Sequence, residues 1–167
     1  MKRFATAAAL AVLTAGAAHA ETIAEIAAGN EDFSTLVAAA DAAGLVETLN
    51  GEGPFTVFAP NNAAFDVLPE GTVESLLEPD MKDDLTGILT YHVVAGEIMS
   101  GDIEMGTTAV ETVNGATLCV TASEDGVMLM DGAGNEATVV SADIDADNGV
   151  IHVIDTVIMP GESGASC

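Results

Sequence analysis

Apolar residues recur with a helical period in the first half of the chain and in strand-like runs in the second. In "DFSTLVAAADAAGLVETLNG", Phe33, Leu36, Val37 and Ala40 fall at i, i+3, i+4 and i+7, so one apolar stripe forms if the segment is helical. Asp32 is placed to cap its start, and Gly51 and Gly53 to end it. The preceding "AETIAEIAAG" also reads as helix. "PFTVFAP" is aromatic and β-branched, hence a strand stopped by Pro60, after which Asn61 can cap a brief helix through "NAAFDVL". Asp80 to Val93 predicts a further helix with Leu85, Ile88, Leu89 and His92 on one side.

Beyond Gly96 the pattern changes. "VETV", "ATLCVTA", "VMLMD", "ATVVSADI" and "VIHVIDTVIM" are short runs divided by Asn-Gly or glycine-rich breaks. Asn114-Gly115 and Asn148-Gly149 signal tight hairpin turns of the kind that holds both central residues at positive φ. Helices followed by an antiparallel sheet give an α+β class. No internal repeat or low-complexity linker interrupts it.

The first 20 residues stand apart. Lys2 and Arg3 precede an apolar run from Phe4 to Ala18, and Ala18-His19-Ala20 supplies small residues suited to a signal peptidase, so export with cleavage before Glu21 is expected. The run is shorter than the roughly 20 apolar residues that a membrane helix needs. Residues 21–160 then suit one domain, with 161–167 a short C-terminal tail. Without the leader, Lys82 alone faces 27 acidic residues, a formal charge of −26. Such a surface repels nucleic-acid phosphates and anionic lipid heads, and favours at most weak association with cations. Disorder is the other common reading of a strongly acidic chain, but 49% apolar residues in periodic order predict a folded one.

The richest chemistry lies in "NGVIHVIDTVIMP". In an extended strand His152 and Asp155 face opposite sides, so each needs its own partner: a carbonyl or carboxylate for His152, backbone N–H or hydroxyl groups for Asp155. His92 raises the same question at the end of its helix, and Tyr91, the one tyrosine of the chain, can bury its ring while its hydroxyl reaches a polar group. Asp143, Asp145 and Asp147 are spaced like the first three ligands of a calcium loop. They are only weak metal candidates, because the loop's glycine falls one position late and Ile154 stands where the closing glutamate belongs. "GESGA" approaches a serine nucleophile elbow without its last glycine. Phosphate loops, dinucleotide fingerprints and zinc motifs are absent from the sequence, so neither a cofactor nor catalysis is expected. Cys119 and Cys167 would enter an oxidising compartment. They can pair within the chain, pair between molecules or stay free, and a bridge within the chain is the favoured reading.

Four blocks, "GPFTVFAPNNAAFDVLP", "YHVV", "VNGATLCV" and "NGVIHVIDTVIMP", stand in the order and approximate spacing of a fasciclin domain, which the chain resembles from Glu21 to Pro160. The resemblance implies a helical layer packed on a wedge of mainly antiparallel β-strands, and a role in cell adhesion or matrix interaction. In animal matrix members the tyrosine–histidine block and an aspartate-containing segment near the last block are implicated in integrin binding. By that resemblance Tyr91, His92, Val93 and Asp155 become the interaction candidates here, with a cell-surface or matrix protein or polysaccharide as partner. A secreted module, periplasmic or extracellular, is the expected function. Its rivals are a periplasmic binder of a small apolar ligand or cation, held between helices and sheet, and an unrecognised hydrolase using His92 or His152.

Overall fold

The computed structural model describes residues 21–161 and Cys167. The expected leader and "GESGA", with Ser163, fall outside the described residues in whole or in large part. The chain begins with α1 (Ile23–Ala28), closed by a reciprocal cap in which the Thr22 side chain accepts from the Glu25 N–H and the Glu25 carboxylate accepts from the Thr22 N–H. A 3₁₀ turn (Glu31–Phe33) leads into α2 (Ser34–Ala43) and then α3 (Val46–Leu49).

The single helix expected from Phe33 to Leu49 is therefore divided. Gly44 ends α2 in the left-handed region at φ 73°, where its N–H reaches back to the carbonyls of Ala40 and Asp41. Asp32 is not the cap either. Asn30 Oδ1 accepts the Asp32 N–H, and Asn62 Oδ1 reaches from a distant segment to the Thr35 N–H at 3.2 Å. A cap supplied from 27 residues away leaves no local trace in the sequence.

After β1 (Phe55–Pro60), α4 (Asn62–Asp66) is capped by Asn61, whose Oδ1 accepts the Ala64 N–H at 2.8 Å, as the sequence suggested. α5 (Thr72–Leu76) had no apolar stripe to announce it. α6 (Lys82–Tyr91) stops before His92, and Val93 already belongs to β2 (Val93–Ala95), so the helix is shorter at both ends than the expected Asp80–Val93. Five strands complete the chain: β3 (Gly106–Glu111), β4 (Thr117–Ser123), β5 (Gly126–Met130), β6 (Glu136–Ala146) and β7 (Gly149–Ile154).

The strands form one sheet in the order β2-β1-β7-β6-β5-β4-β3. Every neighbouring pair is antiparallel except β1 and β7, which run parallel from Phe55↔Gly149 to Pro60↔Ile154. β6 turns the corner of the wedge. Its first residues pair with β5, its remainder pairs with β7, and register shifts on both sides of Ser141 bend it between the two. Two cores follow. Val57, Ala59, Ile151 and Val153 face the helical layer with Ile23, Phe33, Leu36 and Leu89, while Phe58 and Ile154 face Leu118, Val120, Leu129 and Ile158 inside the wedge.

The Asn-Gly pairs do not act as expected. Ala146 pairs with Gly149, so the central turn residues are Asp147 and Asn148, and of each Asn-Gly pair only the glycine has positive φ. Both asparagines work through their side chains. Asn114 Nδ2 donates to the Gly87 carbonyl of α6 at 2.6 Å. Asn148 Nδ2 donates to the carbonyls of Leu49 and Gly51, at 2.5 and 2.8 Å, and its Oδ1 accepts the Ile23 N–H at 3.0 Å. One amide thus ties the α1 start and the α3 exit to the β6–β7 turn. Gly149 is fixed by crowding, since a Cβ there would lie 1.9 Å from the Phe55 carbonyl oxygen.

Asn148→Ala leaves two carbonyls and one N–H without their partner, and the expected loss is about 2–4 kcal/mol. Urea unfolding followed by circular dichroism reads it directly, and a midpoint equal to wild type would remove Asn148 from this role.

Candidate functional site

The helix-to-strand junction of α6 and β2 carries three of the four interaction candidates, and all three are buried. Tyr91 is 0% exposed, His92 2% and Val93 8%. That burial matches the reading of Tyr91 as a buried ring with a partnered hydroxyl, and it leaves the contact role implied by the resemblance without an exposed side chain here: these positions serve the seam between the two cores. The Tyr91 hydroxyl donates to the Thr117 carbonyl at 2.8 Å and accepts the Gly132 N–H at 3.1 Å, so it pins β4 and the β5–β6 turn to α6. Burial pushes its pKa up to about 12, with the Asp131 charge adding to the rise and the Gly132 N–H opposing it.

His92 bridges backbone to backbone. A carbonyl can only accept and an amide N–H can only donate, so the Ile88 carbonyl 2.8 Å from Nδ1 and the Ile158 N–H 3.2 Å from Nε2 define a neutral ring protonated on Nδ1. Burial lowers its pKa to about 4, against the Ile88 carbonyl and the Asp131 charge, which favour the cation. Asp131 completes the cluster. It is 2% exposed, and its two oxygens accept from the N–H groups of Ala133, Asn135 and Met159 and from the Asn135 side chain. Together, His92 and Asp131 hold the segment after β7 across the wedge.

His152 is likewise held by backbone and stacks on Phe58 with ring centroids 5.6 Å apart. Its Nε2 donates to the Ile98 carbonyl at 2.7 Å, as expected of a carbonyl partner, and its Nδ1 accepts the Asp143 N–H at 3.3 Å. Asp143 sits at the β6 irregularity with φ 57°, and its carboxylate accepts from the Ser100 N–H and hydroxyl, which lower its pKa. Asp145 and Asp147 are exposed on the same approach. Among the described residues no three His, Cys, Asp or Glu side chains converge on a possible metal position.

Asp155 lies one residue past the end of β7, so the expected strand alternation through Met159 stops short of it. It is half-buried, and Oδ1 accepts the Thr138 N–H at 2.9 Å and the Thr156 hydroxyl at 3.2 Å. His152 and Asp155 share no hydrogen bond. With both nitrogens of His92 and of His152 engaged by backbone groups, neither ring presents a free base to a nucleophile, as the hydrolase reading required.

Cys119 and Cys167 are bonded, with Cα atoms 5.7 Å apart, so the chain end is fastened to β4. The outward face of the neighbouring strands was missed by motif reading. Registers align Thr107, Thr121, Met128 and Thr138 in one row across β3–β6 and Ala109, Cys119, Met130 and Glu136 in the next, where Cys119 is itself buried and holds Cys167. Met128 and Met130 are 38% and 36% exposed there, and Val140 at the β6 bulge is 56% exposed. The run "VMLM" is apolar throughout and the next residue, Asp131, is buried, so the sequence carried no apolar–polar alternation to mark Met128 and Met130 as outward on either side of buried Leu129.

The buried neutral His92 also makes stability depend on pH. Its folded-state pKa, about 4, lies below the ordinary 6.5, so between these values the unfolded chain takes up a proton that the folded chain does not. Its contribution is complete above about pH 6.5 and falls as the pH drops towards 4, by up to about 3 kcal/mol. Denaturant midpoints at pH 7 and 4.5 should therefore separate more for wild type than for His92→Gln, and equal separations would contradict the assignment.

Against this geometry, comparisons with known proteins agree. A family profile described as Fasciclin domain matches residues 31–160. Protein sll1483 of Synechocystis is 58% identical over 141 residues, covering 84% of this chain and 74% of that protein. Cell surface glycolipoprotein MPB83 of Mycobacterium bovis is 41% identical over 145 residues, covering 84% of this chain and 61% of that protein. Transforming growth factor-beta-induced protein ig-h3 of Sus scrofa is 41% identical over 139 residues, but the match spans only 19% of its length. A solved FAS1 domain pair from the insect cell adhesion molecule fasciclin I has a TM-score of 0.60 at 22% identity, covering 74% of this chain and 43% of that one, which speaks for the fold. With the helical layer, the wedge and the family profile in agreement, this chain belongs to the fasciclin domain family.

Proposed function

We propose that the protein is an exported, non-catalytic adhesion module that binds a basic protein at a cell surface or in a matrix through the outward face of β3–β6. The observation that carries this reading is the exposure of Met128 and Met130 beside a row of threonines, in a chain of net charge −24. Methionines are favoured at the centre of protein contacts, and acidic surroundings steer a partner of opposite charge towards them. Among the described residues β3 is the last strand of the sheet and is largely exposed, which adds an edge for a partner to meet. The names of the relatives, a cell surface glycolipoprotein and a cell adhesion molecule, support the same class. No helix among the described residues is long and apolar enough to cross a membrane.

The test is binding of labelled protein to whole cells and extracted matrix of its own source, at two salt concentrations and with calcium or chelator. Saturable binding is expected, weaker at high salt, and reduced at least tenfold in Met128→Glu/Met130→Glu protein with an unchanged circular dichroism spectrum. Wild-type binding by that variant would sink this surface, and absence of binding under every condition would sink the adhesion reading.

A further inference from the structure

The space between the helical layer and the sheet is not completely filled. A cavity of about 100 Å³ lies among Ile23, Leu36, Ala40, Phe55, Leu89 and Ile151. Its origin is legible in composition: Ala24, Ala27, Ala28, Ala40 and Ala59 all contribute to its wall, so the helices approach the strands with side chains too short to close the gap. Apart from Thr48, exposed at the mouth, the polar side chains at the wall are already engaged. The Thr90 hydroxyl donates to the Thr86 carbonyl at 2.7 Å, and His92 has both nitrogens in backbone bonds. Water entering such a space finds no partner, and apolar cavities of about 150 Å³ in other proteins stay dry and take up benzene or xenon. The wall also reaches the surface, because Ala28, Thr48 and Val113 are exposed, Val113 to 44%.

We propose that this cavity is a binding site for a compact hydrocarbon group, a small ring or a chain end of about six carbons, held by contact alone with no hydrogen bond. Size sets the limit, since a larger ligand would have to leave its remainder outside. Chemistry sets the specificity: a hydroxyl or carboxylate carried into the cavity would lose its water without replacement, so any polar part must remain at the mouth. The site lies on the helical side of the central strands, apart from the outward sheet face carrying Met128 and Met130, and it stands independently of the adhesion reading.

Benzene is the probe. Titration of the intact, methyl-labelled protein should give saturable shifts at Ile23, Leu36, Leu89 and Ile151 in carbon–proton correlation spectra, together with a rise in the thermal midpoint. Ala40→Leu fills the cavity and should raise the midpoint without benzene and weaken benzene binding at least tenfold. Ala28→Leu, at an exposed position, should narrow the mouth and slow exchange, and it keeps the test open if Ala40→Leu fails to fold. Absence of saturable shifts up to the solubility of benzene would overturn the proposal, as would wild-type affinity and exchange in both folded variants.

Discussion

β7 is buried at all six positions, and the fold is arranged around the need to cover both of its faces. A strand with one wet face can lie at the side of a molecule, whereas one with no wet face requires a layer above and below. β1 is its parallel neighbour and is nearly as buried, so the two form a central pair. The helical layer covers Ile151 and Val153, and the turned-over half of the sheet covers Ile154. The bulged β6 makes this possible, because one strand contributes to both halves and bends between them.

Such central burial makes polar groups expensive unless each is fully partnered, and the partners here are backbone groups from distant segments. Tyr91 joins α6 to β4 and the β5–β6 turn; His92 joins α6 to Ile158; His152 joins β7 to Ile98 and Asp143. Thr56, wholly buried in β1, accepts the Ile98 N–H and donates to the Gly96 carbonyl, closing the loop after β2 in the same way. These bonds specify which segments meet, which apolar contact alone does less sharply. Two backbone partners also leave the His92 ring no position for a second proton.

Element type was legible wherever a local period was strong: α2 and α6 by their apolar stripes, β1 and β4 by β-branched runs, and the cap at Asn61 by its residue type. Element ends were less legible because they depend on contacts across the chain. Asn62 caps α2 from another segment, Gly44 divides what reads as one helix, and β2 is three residues with no pattern of its own. The two Asn-Gly pairs are instructive in a different way. Their position at turns was correct, but their chemistry was not, since Asn114 and Asn148 are used for reach and not for positive φ. At the site the residues and the resemblance pointed apart: residue type let Tyr91 bury its ring and asked a polar partner for His92, whereas the resemblance made both interaction candidates, and packing places them inside.

That difference bears on what the family resemblance can mean. The blocks that carry it contain Phe58, Tyr91, His92, Leu118, Asn148 and His152, whose side chains build the seam between helices, sheet and wedge. Substituting one of them acts first on stability, so lost binding in such a variant would not by itself locate a contact surface. Recognition by a folded module falls to positions whose side chains reach solvent and are not already needed to hold the fold. Met128, Met130 and Val140 meet both conditions and lie outside all four blocks. A scaffold held by buried residues leaves its outward face free of structural duty, and on such a face one fold can serve different partners; in this chain that face carries Met128 and Met130.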